Sequence, residues 1–555
     1  MHRRRPKAST AALTAWLFSM GERRGCLLPA GVPSGWGRAS PAMPPSPDPI
    51  WTRRFSTEEQ EALAEEALAQ EILAQETKAG AAALAAAPAA EAAVGRPAPL
   101  EGLRFAVKDL MAVRGCRMGC GNPHWAARQE PSPVTAAAVQ RLLAAGARCL
   151  GTTWLDEFAF GLAGENAWGG TPPNPLAPGR IPGGSSSGSA AAVALGEADL
   201  ALGTDTAGSI RAPASWCGLW GLRPSHGAVD TDGVAPLAPS LDTVGLFASS
   251  RETLRLGMAT LLEPIASQNS GGHLSLDPTA TAATTHSLNA PFSTADQSLE
   301  GPPPPLATPV SPAGEALAGQ APSTAWDLSA APRSAVPPSA PAANPIETAS
   351  KVRAIGWIPE LWALADPAVA APLEHQARSL AEQLGLPLQR WPLAELGIGS
   401  PEELQRLLEA VQWAEIEQSL LHLPSDLSVG PTLSRNRALV AGRDRSLLPG
   451  AQIARQALRQ RLHQLLAPAS RGGGPALLLL PCTPTVAPPC GSLGSDRSTN
   501  TVIQRLLQLG ALASLAGLPQ LARPGSVDLE HGLPVGLGVL THTGGDRLLL
   551  DLPEA

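Results

Sequence analysis

The stretch PGGSSSGSAAAVALGEADLALGTDTAGSIRAPASWCGLWGLRP, from Pro182 to Pro224, concentrates serines, glycines and a close Asp–Arg pair between two short apolar runs. It contains two turns of small residues, Gly183–Gly188 and Gly203–Ser209, separated by a helix-forming run and a strand-like run. Glycine tolerates positive φ and lets backbone N–H groups approach a ligand closely, so such turns can direct several donors at one oxygen. The stretch therefore predicts serine hydroxyls beside an oxyanion-binding loop.

One lysine lies between the N-terminal helical segment and these turns. Lys108 comes near the end of the apolar run Leu103–Leu110. A lysine at the end of a buried strand is a candidate neutral amine, because burial disfavours its charged form. The sequence therefore offers a candidate base near pH 7.

Short apolar runs alternate with helix-forming runs on both sides of this stretch. The alternation predicts an α/β fold, a mixed β-sheet covered by helices on both faces, with functional loops at strand ends. Strands are expected at Phe105–Val107, Arg148–Gly151, Asp199–Gly203, Arg353–Trp357, Ala476–Leu480 and Val535–Leu540. Helices are expected at Pro133–Ala145, Ser189–Ala194, Pro367–Leu384, Pro401–Ser419 and Thr501–Ala516, with one or two more in Phe55–Ala87 after the cap-like Ser56-Thr57-Glu58-Glu59.

At the small-residue turns the sequence resembles the amidase signature family, whose members use a Ser–cis-Ser–Lys triad. The motifs that carry the resemblance are FAVKDL, GGSSSGS and GTDTAGSIRAP, and further similarity covers most of Leu100–Phe247 and Lys351–Leu552. By position, the resemblance implies Ser209 as the nucleophile, Ser185 as the bridging serine after a cis peptide bond, and Lys108 as the base. NPLAPGRIPGGSSSGSA and RPSHGAV are most similar to the plant and cyanobacterial branch that includes indole-3-acetamide hydrolases.

The resemblance also implies an activity and the residues that support the catalytic ones. The expected reaction converts a small carboxamide, such as the arylacetamide indole-3-acetamide, to a carboxylic acid and ammonia through an acyl-enzyme, without cofactor or metal. The implied oxyanion hole consists of the backbone N–H groups of Thr206, Ala207, Gly208 and Ser209. Structural support is expected from Thr204, Asp205 and Arg211. Candidate walls of the substrate pocket are Met118–Asn122, Phe158–Gly161, Trp391 and Trp413.

Three rival functions stay open. GSSSG at Gly184–Gly188 also fits the G-x-S-x-G motif of α/β-hydrolases, with Ser186 as nucleophile and His226 and Asp230 or Asp242 as partners, but Asn174–Pro182 is a Pro/Gly-rich loop where that motif needs a strand. The amidase subunit of a glutamyl-tRNA amidotransferase would share the triad and depend on a partner protein. The third rival is a non-catalytic receptor or scaffold, which would have lost triad residues, whereas all three are present here.

The charge of the chain and its cysteines indicate which binding partners and which cellular compartment to expect. The formal net charge is −7, and since residues 1–50 carry seven Lys/Arg against two acids, the acidic remainder argues against a nucleic-acid partner. No apolar run reaches the roughly 18 residues of a membrane span, so we expect a small-molecule amide as partner and leave a homodimer open. Seven scattered cysteines without a CxxC pair suit a cytoplasmic location, or an organelle if residues 1–50 are a transit peptide. Cys116, Cys120 and His124 are four residues apart and could hold a metal on a helix. No fourth ligand is nearby and the glycines among them break a helix, so we do not expect a metal site there.

Composition also predicts how the chain is divided. With 57 Pro and 55 Gly in 555 residues, parts of it are expected to lack regular structure, above all a low-complexity Pro/Ala/Ser-rich segment. The predicted division is a disordered or targeting extension 1–50, a helical segment 51–99, a first amidase half 100–262, a disordered insertion 263–350 and a second half 351–555.

Overall fold

The computed structural model describes residues 48–82, 98–262, 352–420, 423–468, 474–494 and 500–554, with side chains placed outside 71–82. Nearly all of the predicted extension 1–50 and the whole predicted insertion 263–350 lie outside the described residues. The domain boundaries stay predictions.

Strands from both halves of the chain form a single sheet of eleven strands. Their order across the sheet is β1-β3-β2-β4-β6-β5-β10-β11-β9-β7-β8. The strands are β1 Trp51–Arg54, β2 Arg104–Lys108, β3 Arg148–Thr153, β4 Leu200–Asp205, β5 Trp220–Arg223, β6 Thr243–Ala248, β7 Ala354–Trp357, β8 Leu388–Arg390, β9 Ala476–Pro481, β10 Gln520–Val527 and β11 Pro534–Leu540. Because β2 pairs in parallel with β3 and β4 while β4 pairs antiparallel with β6, the sheet is mixed, which confirms the predicted fold class.

Helices pack on the sheet and on one another. They are α1 Thr57–Ala82, α2 Pro123–Ala126, α3 Ala137–Ala144, α4 Ser187–Ala194, α5 Arg211–Trp216, α6 Arg251–Leu262, α7 Pro359–Trp362, α8 Pro367–Gln383, α9 Pro401–Leu420, α10 Pro431–Ala441, α11 Leu448–Leu466, α12 Thr501–Ala516 and α13 Asp546–Leu550. None of these described helices is long and apolar enough to cross a membrane.

Local sequence signals fix the ends of two predicted helices. The Ser56 hydroxyl accepts from the Glu59 amide at 3.2 Å, and the Glu59 carboxylate accepts from the Ser56 amide at 2.9 Å, so this end of α1 is a capping box. Asn500 caps α12 by accepting from the Ile503 amide at 3.0 Å. Gly517, at φ 69°, ends α12 in the left-handed conformation that glycine adopts most readily.

Two neighbouring parallel strands bring the predicted site together. Every residue of β4 is buried, as expected for a central strand covered on both faces. Lys108 is the last residue of β2 and Asp205 is the last residue of β4. Because parallel strands end at the same edge of a sheet, the loops after β2 and β4 start side by side.

Some elements differ from the sequence expectations. The helix expected at Pro133–Ala145 spans only α3, because the segment before Ala136 pairs with neighbouring loops instead of forming helical hydrogen bonds. Strands β1, β5, β6, β8 and β10 were not predicted. Strands β1, β5 and β8 have only three or four residues each, and β10 has a register shift around Pro524 and Gly525. None of these four strands therefore shows an unbroken apolar pattern in the sequence.

Candidate active site

Lys108 is completely buried at the end of β2, where its amine contacts two hydroxyl groups. Nζ donates to Ser185 Oγ at 2.7 Å and to Thr204 Oγ1 at 2.8 Å. Burial lowers the pKa of Lys108 from 10.5 to about 7, although the carboxylates of Asp156, Asp205 and Asp242 act in the opposite direction. The amine is therefore able to exist in its neutral, basic form near neutral pH.

Ser185 and Ser209 lie on the two small-residue turns that follow Pro182 and β4. The Gly184–Ser185 peptide bond is cis, as the resemblance implied. Ser185 is fully buried and Ser209 is 4% exposed. Among the described residues, Ser209 Oγ has no hydrogen-bond partner, whereas Ser185 Oγ is held by Lys108. The bridging hydroxyl thus has a fixed partner and the predicted nucleophile is free to meet a substrate.

A buried ionic network holds the turn between β4 and α5. Arg211 donates from Nε and Nη2 to the two carboxylate oxygens of Asp205, at 2.9 and 2.7 Å. The guanidinium of Arg211 also donates to the Gly510 carbonyl at 3.0 Å, to Gln520 Oε1 at 2.8 Å and to Ser514 Oγ at 3.1 Å, so the turn is tied to the second half of the chain. Paired and hydrogen-bonded in this way, the buried charges are compensated.

Asp205 also shapes the turn through the backbone. Its carboxylate accepts from the amides of Gly208 at 2.9 Å and Ile210 at 3.0 Å. Burial opposes its charge, but Arg211, Arg223 and the Ile210 amide outweigh this effect and hold the pKa of Asp205 below its usual range. Asp205 therefore stays ionised and fixes the conformation in which the following amides are presented.

The amides predicted to form the oxyanion hole are not equivalent. The Gly208 amide is already engaged by Asp205. Among the described residues, the amides of Thr206, Ala207 and Ser209 have no acceptor. The Thr206 side chain donates to Asp242 at 2.6 Å, which anchors this part of the loop. Three N–H donors thus stay available beside the predicted nucleophile.

The α/β-hydrolase alternative fails on geometry. Ser186 is fully buried, and its hydroxyl donates to the Thr204 carbonyl at 3.2 Å. The His226 ring contacts the Pro239 carbonyl at 2.9 Å through Nε2, and Asp242 is engaged by Thr206 and by the amides of Leu237 and Ala238. No hydrogen bond among the described residues joins Ser186 to His226 or His226 to an aspartate. Ser186 therefore supports the turn.

One predicted pocket wall lies elsewhere. Trp391 follows β8 at the far edge of the sheet, where its ring lies against Gly356 of β7. Its indole is buried by this packing, as large aromatic surfaces usually are. Trp413 belongs to α9 and is partly buried against the hydrophobic core, and its contribution to the substrate pocket stays a prediction. Within the described ranges, no group of three or more His, Cys, Asp or Glu side chains could hold a metal ion.

Two polar residues near the site were missed by the sequence reasoning. Asp156 is 5% exposed, and its carboxylate lies 2.6 Å from the position that a Cβ on Gly184 would occupy. Asn436 of α10 is 1% exposed. Both side chains line a cavity, together with Leu162 and Ile503. The sequence signals only the acidic segment around Asp156, and Asn436 has no motif of its own.

Comparison with known proteins identifies the family. The Amidase family model matches residues 61–291. A glutamyl-tRNA(Gln) amidotransferase subunit of Thermus thermophilus is 35% identical over 461 residues, which cover 82% of this chain and 84% of that protein. Amidase 1 of Oryza sativa subsp. japonica is 54% identical over 156 residues, which cover 28% of this chain and 36% of that protein. The match thus spans about a third of that plant relative's length.

The solved structures agree with these sequence matches. A crystal structure described as an amidase has 27% sequence identity and a TM-score of 0.55, and the match covers 88% of this chain and 94% of that one. The mixed sheet, the long match to the Thermus protein and the family model all indicate the same family. The chain belongs to the amidase family.

Proposed function

We propose that this protein hydrolyses a small carboxamide to a carboxylic acid and ammonia, with Ser209 as nucleophile, Ser185 as relay and Lys108 as base. The observation that carries this proposal is the 2.7 Å hydrogen bond between Lys108 Nζ and Ser185 Oγ in a site where burial lowers the pKa of the lysine to about 7. A free serine hydroxyl is a poor nucleophile, so a neutral amine that takes the proton of Ser209 through Ser185 would supply what the chemistry needs.

Acylation begins when Ser209 Oγ attacks the amide carbonyl carbon. The Ser209 proton passes to Ser185 Oγ, whose own proton passes to neutral Lys108. The developing oxyanion is stabilised by the free amides in the loop after β4, which need no reorganisation because Asp205 already fixes the loop. The tetrahedral intermediate then collapses, the C–N bond breaks, and the same relay returns the proton to the departing nitrogen, which leaves as ammonia.

Deacylation repeats these steps with water. Water attacks the ester on Ser209 and gives its proton to the relay. Collapse of the second tetrahedral intermediate breaks the ester bond, restores the Ser209 hydroxyl and releases the carboxylic acid. Lys108 ends neutral, so the cycle consumes one water per amide.

The finer assignment to an arylacetamide such as indole-3-acetamide is a proposal that rests on the sequence resemblance. Its support in the site is the apolar part of the wall of the cavity that Asp156 and Asn436 line, to which Leu162, Leu493 and Ile503 contribute. An apolar wall of this kind accepts the carbon skeleton of many acyl groups. A cytoplasmic location also stays a prediction.

The test is ammonia release by the purified chain from phenylacetamide, indole-3-acetamide, hexanamide and glutamine. Ser209→Ala and Lys108→Ala should each remove turnover, since each takes away a group that moves a proton or forms the ester. Ser526→Ala is the matched control. Ser526 lies on β10, and among the described residues its hydroxyl hydrogen-bonds only to Gln376 Oε1 of α8, at 3.2 Å. Full turnover by Ser209→Ala would overturn the proposal.

A second candidate is the amidase subunit of a glutamyl-tRNA amidotransferase. The observation that favours it is the match to the Thermus protein, which runs along 82% of this chain. A chain of that kind would release ammonia from glutamine only when its partner protein is present. Turnover of monoamides by the isolated chain favours the hydrolase, and partner-dependent use of glutamine alone favours the amidotransferase. A non-catalytic scaffold would do neither.

A further inference from the structure

The cavity that Asp156 and Asn436 line adjoins both loops of the candidate active site. Leu162 lines this cavity and also a smaller one whose wall includes Ala207 and Gly208 of the loop after β4. On its other side, the carboxylate of Asp156 lies against Gly184, which precedes the bridging serine. A substrate whose amide reaches Ser209 would therefore extend its acyl part into this cavity.

Two buried oxygen atoms in the wall of the cavity have no hydrogen-bond partner among the residues that the structure describes. They are Oδ1 of Asp156 and Oδ1 of Asn436. Asn436 cannot satisfy its oxygen by turning over, because its Nδ2 donates to the Phe160 carbonyl at 2.8 Å and a carbonyl can only accept. Buried acceptors are satisfied in nearly all native structures, so these two call for a ligand that brings donors.

The charge of the cavity indicates what kind of donor fits. Glu165 lines it as a second carboxylate, and among the described residues that line it none is a lysine or arginine. A third cavity, which shares Asp156 and Glu165 with this one, is lined by Glu157 as well. The Glu157 carboxylate already accepts hydrogen bonds from Asn122, Trp168 and the Gly430 amide. Burial raises the pKa of Asp156 to about 7, and a nearby cation would favour its ionised form.

We propose that this cavity binds a protonated amine on the acyl part of the substrate, with Asp156 Oδ1 and Asn436 Oδ1 as its acceptors and Glu165 as a further negative charge. An ammonium group has three N–H donors and no acceptor, which matches the two unpaired oxygen atoms and the carboxylate of Glu165. The carbon chain between amine and amide contacts Leu162, Leu493 and Ile503. The inference rests on the proposed function, because it specifies the acyl part of that amide.

Water alone could occupy the same two acceptors, and a binding experiment separates the two cases. Ser209→Ala protein is titrated by calorimetry with two matched pairs of amides that differ by NH₃⁺ in place of CH₃. The pairs are 5-aminopentanamide with hexanamide, and 4-(aminomethyl)phenylacetamide with 4-ethylphenylacetamide. We expect the amine of at least one pair to bind about tenfold tighter than its neutral partner, as for a hydrogen-bonded buried charge. Equal or weaker binding of both amines would overturn the inference.

Variants of the wall assign the preference to its residues. Asn436→Leu and Glu165→Gln, each combined with Ser209→Ala, should reduce the amine preference severalfold and leave the neutral amide bound as before. Asp156→Asn should do the same, but its carboxylate also accepts from the backbone of Gly164, so the other two variants serve if it fails to fold. Glu374→Gln, on the exposed face of α8, controls for charge alone. A preference that survives both Asn436→Leu and Glu165→Gln would overturn the assignment.

The binding test does not depend on turnover. If the wild-type chain releases no ammonia from any amide but Ser209→Ala still prefers the amines, the proposed hydrolysis fails and the amine site stands. If the chain hydrolyses the neutral amides and shows no preference for the amines, the hydrolysis stands and the amine site fails.

Discussion

The protonation of Lys108 should determine how amide hydrolysis depends on pH. The lysine accepts a proton only in its neutral form, and burial lowers its pKa to about 7. Below this pKa the amine is charged and cannot act as a base, so activity falls as the pH falls. We therefore expect kcat/KM to rise through neutrality and then level off.

The size of the rise follows from the pKa. A group of pKa 7 is about 9% neutral at pH 6 and about 91% neutral at pH 8, so kcat/KM should increase about tenfold over this interval. With the ordinary value of 10.5, only about 0.3% would be neutral at pH 8, so burial supplies a factor of about 300 in active enzyme at that pH. Asp156, whose pKa burial also raises to about 7, favours the charged lysine, so its replacement by Asn should move the midpoint to lower pH.

The assay is kcat/KM for hexanamide between pH 5.5 and 9.5, since this substrate has no group that titrates in the range. Circular dichroism at each pH checks that the fold persists. A profile that is flat from pH 6 to 8, or one that rises only above pH 9, would refute the reasoning, because either would mean that a buried neutral lysine does not limit the reaction.

Three further predictions concern the packing of the site. Lys108→Met should abolish activity yet raise the free energy of unfolding by about 3 kcal/mol at pH 7, because a pKa lowered from 10.5 to about 7 costs about 5 kcal/mol and two lost hydrogen bonds offset about 2. The cost of burying Lys108 is complete below pH 7 and vanishes as the pH approaches 10.5. Denaturant unfolding should therefore show that the stability gained by Lys108→Met shrinks as the pH rises, and a gain that does not change with pH would contradict this prediction. Arg211→Met should destabilise the fold by about 3–5 kcal/mol in the same measurement, since Asp205 loses its bidentate partner, and wild-type stability would argue against that network. Gly184→Ala should lower soluble yield and activity together, because its Cβ would lie 2.6 Å from both Asp156 carboxylate oxygens and from the Gly164 amide nitrogen, and a soluble, active variant would rule out this crowding.

The sheet and the site loops were predictable because their signals are local. Continuous apolar runs such as Ala476–Leu480 have room only at the centre of a sheet, and that run is buried throughout as part of β9. The small-residue turns likewise announce backbone conformations that larger side chains exclude. Motifs of this kind can be recognised in the sequence without knowledge of the fold.

The cavity was not predictable, because its character comes from residues far apart in the chain. Asp156 follows β3 and Asn436 lies on α10, and only the fold places both in one wall. That an oxygen atom is buried without a partner is a property of the packed molecule. The prediction of Trp391 as a pocket wall was wrong for the same reason, since the packing of Trp391 against β7 at the far edge of the sheet is a property of the fold.

The measurement that tests the central claim most directly is where, and how fast, a serine-reactive fluorophosphonate labels the chain. Peptide mass mapping should find the label on Ser209 in the wild-type protein and in Ser526→Ala. The labelling rate of Lys108→Ala at pH 8 should fall by about 100-fold or more, in line with the contribution of a general base. Label on another serine, or an unchanged rate in Lys108→Ala, would contradict a nucleophile at Ser209 that Lys108 activates through Ser185.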